Sequence, residues 1–285
     1  MARRLRSDEK VDIALDPTVS IRVYADCRPH LLQTTNLQKG LVLIWRGNEL
    51  IEEGLGFGVP VCRYRDGTRF SLRADTYVDD SRGFLSVRKV YDMNGIVVKR
   101  LRGFQIRRGS YLGRFLSLLE RAYRRVRRLQ AGAVLMLGLF SVIGIRNEYQ
   151  ESISKGQITV TYQLDSGGLQ VKAALDSLVT DSLESFVFGN EQGGRLFTEY
   201  SDSCGVKLKG SQIEPWRPTP AEWATLTCPE AGLGFKVHKP QGWRIVRGRE
   251  VIEQRISWSG LDLVSNKIPT RAEYRVEILG DAADD

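Results

Sequence analysis

Between residues 157 and 279 the chain alternates, and alternation restricts the fold more than any other feature of this sequence. In 157–164, Ile158, Val160, Tyr162 and Leu164 are interleaved with Gln157, Thr159, Thr161 and Gln163. A period of two puts one side of an extended strand on a core and the other in water. Leu169, Val171, Ala173 and Leu175 repeat the pattern. The intervening Asp165-Ser166-Gly167-Gly168 is a run of turn-formers able to supply positive φ, so the two segments predict a hairpin. Further strands are predicted at 185–188, 195–200, 223–228, 234–238, 243–246, 251–258 and 271–279, most bounded by Gly, Pro, Asn or Asp. Spacing this regular predicts a sandwich.

The N-terminal half carries weaker strand signals at 19–24, 41–45, 69–72 and 84–91. Asn94-Gly95 predicts a hairpin turn between 87–92 and 96–101. One helix is expected, at about 110–129, where Tyr111, Phe115, Leu118, Leu119, Ala122, Val126 and Leu129 share a face. The fold class is therefore mainly β: a large antiparallel β-sandwich with one amphipathic basic helix inserted near the middle. With 285 residues, 42% of them hydrophobic, the chain can bury one large core. A single β domain over 1–285 is expected, with a helical insertion at about 108–147.

The net charge of +8 is concentrated in that insertion. Between Lys99 and Arg128 eleven basic residues face one acid, Glu120, a local +10 that leaves −2 for the remainder. Arg124, Arg125, Arg127 and Arg128 form a cationic surface suited to anionic lipid or nucleic acid. No helix-turn-helix, zinc-finger or RNA-recognition signature accompanies it. Residues 129–145 then run without a charge, near the lower limit for a membrane helix. A membrane anchor and a segment buried under the basic helix both fit, and the second is preferred. The first ten residues are basic, then acidic, with no apolar run behind them, which predicts a cytoplasmic, leaderless protein.

Cys27, Cys62, Cys204 and Cys228 are widely spaced and contain no CxxC, so buried free thiols are expected rather than a metal knuckle or disulfide scaffold. His30 and His238 are the only histidines, too few for a histidine-rich metal site. No metal or cofactor is expected. Gly54, Gly56 and Gly58 alternate before Val59-Pro60-Val61, but no helix or GK[ST] follows, so nucleotide binding is disfavoured. Glycines two apart in a strand instead predict bulges, or a ring lying against bare backbone.

Two polar constellations fall at predicted strand ends. One is Asn190-Glu191 within a glycine-rich stretch; the other is Arg249-Glu250 between Trp243 and Trp258. With Trp216, these tryptophans supply flat apolar faces beside hydrogen-bonding groups, the combination a polyhydroxylated ring needs. The candidate catalytic residues are Glu191, Glu250 and His238, and the candidate substrate-binding residues are Asn190, Arg249, Trp216, Trp243 and Trp258. Tryptophans in a sandwich are more often core, and an Arg beside a Glu more often a surface pair.

From about residue 157 to 279, the order QITVTYQL, GLQVKAAL, NEQGGRLFTEYSD, GREVIEQRISWSGLDL and YRVEI resembles the β-supersandwich of the galactose-mutarotase-like group. That resemblance implies a two-sheet sandwich whose concave face meets carbohydrate. Mutarotases use histidines and a carboxylate for proton transfer, and this half of the chain has His238 alone. A carbohydrate-binding or carbohydrate-processing sandwich is the leading expectation. A non-enzymatic protein docking through its arginine-rich helix is the alternative.

Overall fold

The computed structural model describes residues 2–25, 28–30, 35–49, 54–80, 85–93, 96–100, 147–151, 154–165, 167–193, 197–252, 256–267 and 270–280. The chain divides into two units, residues 1–96 with 151–285, and residues 97–150. The expected basic helix, its arginines and the uncharged 129–145 run lie outside the described residues. Among the described residues there is no α-helix, only short 3-10 turns at Gly210–Ile213 and Pro229–Ala231. No described helix is long and apolar enough to cross a membrane.

Strands are numbered along the chain. The first sheet is 10-stranded. Its spatial order begins β1 (Arg3–Arg4), β10 (Arg73–Asp79), β11 (Leu85–Asp92), β14 (Gly156–Asp165) and β15 (Gly168–Leu178). It continues through β24 (Arg271–Leu279), β21 (Leu233–His238), β20 (Trp223–Cys228), β17 (Glu199–Asp202) and β18 (Lys207–Lys209). In the second sheet the order is β9 (Gly67–Phe70), β8 (Gly56–Tyr64), β16 (Leu183–Gly193), β23 (Ile256–Ser265), β22 (Arg244–Ile252) and β19 (Arg217–Thr219). A branch leaves β8 through β6 (Leu41–Trp45) to β3 (Val19–Tyr24) and β2 (Lys10–Ala14), with β7 (Asn48–Glu49) also on β6. A separate hairpin joins β4 (Arg28–His30) and β5 (Thr35–Leu37), and the second unit is entered and left through β12 (Ile96–Arg100) and β13 (Asn147–Glu151).

The alternation predicts the inner face correctly. Ile158, Val160 and Tyr162 are fully buried on β14, and Tyr162 stands opposite Val171 of β15, which stands opposite Tyr274 of β24. Aromatic rings close the gap between the sheets. Phe57 meets Phe235 edge-on with centroids 5.1 Å apart, and Phe188 meets Tyr274 at 5.2 Å. Antiparallel sheets packed this way form the expected β-sandwich.

Two expectations are corrected. Both edges of β11 are occupied, by β10 and β14, so 87–92 does not pair with 96–101 as a hairpin. Residues 251–258, read as one strand, instead contain the end of β22 and the start of β23, which pair with Ile252 opposite Ile256. The polar Glu253-Gln254-Arg255 interrupts the apolar pattern there. The thiol reading also divides: Cys62 and Cys228 are buried and free, whereas Cys204 is exposed.

The glycine run behaves as its spacing predicts. Val59 pairs with Gly189 and Phe57 with Asn190, which leaves Gly58 unpaired in a bulge at φ +75°. A Cβ there would fall 2.6 Å from Cε1 of Tyr162, whose ring lies against the bare backbone and whose hydroxyl donates to the Gly58 carbonyl at 3.0 Å. Gly58→Ala combines a disfavoured φ with a ring overlap. It is expected to lower stability by about 3 kcal/mol in urea unfolding, against well under 1 kcal/mol for a tolerated site.

Candidate functional site

In β16, Phe186, Phe188, Asn190 and Gln192 are buried on the inner face, so Gly189 and Glu191 face outward by alternation. The same parity turns Trp258, Gly260 and Asp262 of β23 outward, along with Gly248 and Glu250 of β22. Register then aligns Glu191 with Gly260 and Gly260 with Gly248, and sets Glu250 opposite Trp258. Three outward glycines make a floor that other residues fill. A Cβ on Gly248 would lie 2.2 Å from Trp216 Cδ2. One on Gly260 would lie 2.9 Å from both Trp216 Cη2 and Glu191 Cγ. On Gly189 it would lie 2.8 Å from Leu55 Cδ1. The indole of Trp216 therefore rests on two glycines with its far edge toward Glu191, and Leu55 walls the opposite side. Trp216 reaches this place because β19, directly after it, pairs with β22.

Electrostatics single out two carboxyls. Glu191 accepts a hydrogen bond from the Leu55 amide at 3.0 Å, and Asp262 accepts one from the Asn190 amide at 3.0 Å. Enclosure pushes the Glu191 carboxyl up to about 8, with the neighbouring Asp262 charge pushing the same way and the Leu55 amide, Lys39 and Glu250 acting more weakly. Burial likewise raises Asp262, to about 7, against the Asn190 amide and Arg63. Lys39 is itself buried and donates to the Gly54 carbonyl at 2.5 Å, pinning the loop that carries Leu55.

The inner face holds the opposite wall in place. Asn190 is fully buried; its Oδ1 accepts from the Gly58 amide and the Tyr274 hydroxyl, and its Nδ2 donates to the carbonyls of Phe188 and Leu261. Tyr91 and Tyr162 extend this network, their hydroxyl oxygens 3.0 Å apart. Gln192 accepts from the Leu43 amide and donates to the Leu41 carbonyl, tying β6 to β16.

The candidates from the sequence thus separate. Glu191, Glu250, Trp216 and Trp258 share the outer face of the second sheet. Asn190 and Arg249 face inward, because neighbours in a strand point to opposite sides. Trp243 belongs to the core, stacked on Phe188 at 5.5 Å and edge-on to Phe186 at 6.0 Å. His238 lies on the other sheet, its Nε2 2.7 Å from Oε1 of Glu277. Gly248 and Gly260 lie in the Arg249–Glu250 and Trp258 segments that the sequence singles out, whereas Asp262 and Leu55 are not among its candidates. Among the described residues no group of three His, Cys, Asp or Glu could hold a metal ion.

No known protein family matches this chain, and no curated protein does. Among solved structures it is similar to the Slr1438 protein from Synechocystis sp. PCC 6803, with 8% identity over 95% of each chain and a TM-score of 0.42.

Proposed function

We propose that the outer face of the second sheet binds carbohydrate and processes it by acid–base chemistry. The observation that carries this reading is the row Glu191, Gly260 and Gly248 beneath Trp216, with Asp262 beside it. A sugar ring has an apolar C–H face that suits the indole and hydroxyls that suit two carboxyls. Enclosure raises both carboxyls, so the pair holds on to a proton toward neutral pH and can present one acid and one base. One acid and one base side by side are what general acid–base chemistry at a sugar carbon requires. The galactose-mutarotase-like resemblance points to the same ligand class.

The test begins with a glycan array on the full chain, followed by calorimetry on any hit. Trp216→Ala is expected to weaken sugar binding at least tenfold, about 1.4 kcal/mol. Glu191→Gln is expected to keep binding within a few fold and to abolish turnover. Silence across a broad panel of neutral, acidic and amino sugars removes the proposal.

A further inference from the structure

We infer that Arg69 and Lys155 form a binding site for an oxyanion, a phosphate or carboxylate group, where β8 turns into β9 and the chain enters β14. Arg69 stands opposite Cys62 in the β8/β9 register, and its side chain is 4% exposed. An arginine carries five N–H donors and never loses its charge in a protein. One of these nitrogens, Nη2, donates to Asp66 Oδ2 at 2.6 Å. Its Nε and Nη1 are buried and have no hydrogen-bond partner. Buried donors of a charged group are seldom left unmet, because the lost hydration is not returned.

A second cation borders the same tyrosine. The Arg69 guanidinium carbon lies 5.6 Å from the ring centroid of Tyr64, and Lys155 Nζ lies 5.3 Å from that centroid. Tyr64 is fixed by its hydroxyl, which donates to the Val179 carbonyl at 2.7 Å. Lys155 makes no ion pair among the described residues, and Asp66 is half exposed. Two positive charges therefore border one tyrosine, and among the described residues the one ion pair either of them makes is that of Arg69 with the solvated Asp66. An oxyanion would satisfy the planar Arg69 donors and the Lys155 ammonium together, as charge-assisted hydrogen bonds favour. The site lies apart from the Glu191 and Asp262 face and does not depend on the carbohydrate reading.

Thermal unfolding of the full chain tests it. Inorganic phosphate at about 10 mM is expected to raise Tm by roughly 3 °C over sodium chloride of matched ionic strength. Sodium acetate at the same ionic strength distinguishes the source: a larger rise with acetate assigns the site to carboxylates, a larger rise with phosphate to phosphates. Arg69→Met and Lys155→Met are each expected to cancel the anion-specific rise. Should Arg69→Met fail to fold, Lys155→Met at its partly exposed position and Arg69→Lys still report. An equal Tm in chloride, phosphate and acetate overturns the inference, as does a rise that persists undiminished in Lys155→Met.

Discussion

Asn190→Ala is expected to lower folding stability by about 4 kcal/mol, near the upper end for a single substitution. The reason is the number of partners that lose their match at once. Both atoms of the amide are used twice, by the Gly58 amide, the Tyr274 hydroxyl, and the carbonyls of Phe188 and Leu261. A hydrogen bond contributes about 1 kcal/mol net, whereas a buried group left without its partner costs about 1–3 kcal/mol. Alanine also leaves a cavity, since the residue is fully buried.

Urea unfolding of Asn190→Ala beside Tyr274→Phe isolates the effect. The second variant removes one bond from the same network and is expected to cost about 1 kcal/mol. Equal losses would mean that the amide is not what pins the Gly58 bulge. The consequence reaches the outer face too. The backbone N–H of Asn190 donates to Asp262, and the bulge sets the path of the segment from Gly54 to Phe57 that supplies the Leu55 backbone N–H to Glu191. A loosened bulge is therefore expected to weaken both carboxyl contacts.

The strands were legible wherever one face is core and the other is water. The reading of 223–228 and 271–279 coincides with β20 and β24, and that of 157–164 falls within β14. The central strands of the second sheet were harder, because β8 and β16 are buried along most of their length and lose the period-two signature. The turn between β22 and β23 was missed, and with it the register. Until Ile252 is known to face Ile256, nothing in the sequence says that Gly248 lies beside Gly260 or Glu250 beside Trp258. One part of the site is readable from strand parity alone. Asn190 and Glu191 are consecutive in a strand, as are Arg249 and Glu250, so both members of each pair could not serve one face. In the same way Leu261 and Leu263 on the core imply that Gly260 and Asp262 face outward, which identifies the second carboxyl.

Stability is expected to fall between about pH 4.5 and 7 and to rise again between about pH 8 and 10, a profile with its minimum near neutrality. Three enclosed groups, two acidic and one basic, produce it. Glu191 holds its proton up to about pH 8 in the folded chain and loses it near the ordinary glutamate value of 4.5 when unfolded. Between those values the folded state binds more protons, so stability falls as pH rises. Asp262 acts in the same direction, from 3.8 toward about 7. Lys89 acts oppositely. It is fully buried, donates to the Lys39 carbonyl at 2.6 Å, and burial lowers its amine from 10.5 to about 7. From about 7 to 10.5 the unfolded chain binds the extra proton, so stability rises with pH there. Above pH 10 the buried hydroxyls of Tyr91, Tyr162 and Tyr274, whose ionisation burial opposes, turn the slope down again.

Each limb has an amplitude on the order of 3 kcal/mol, the acid-side one after allowance for the solvent contact that the two carboxyls retain. Glu191→Gln is expected to remove about half of the acid-side limb, Asp262 keeping the rest, and to leave the alkaline one intact. Lys89→Met, of similar volume, is expected to erase the alkaline limb. At pH 7 it should also stabilise the chain by about 2 kcal/mol, since an unpaired buried ammonium costs more than its single hydrogen bond to Lys39 returns. Urea midpoints at half-unit steps from pH 4.5 to 10 for the three proteins decide the matter. A wild-type midpoint that does not change with pH, or a Lys89→Met profile that still climbs above pH 8, would show that these side chains meet solvent rather than the interior that enclosure between the sheets demands.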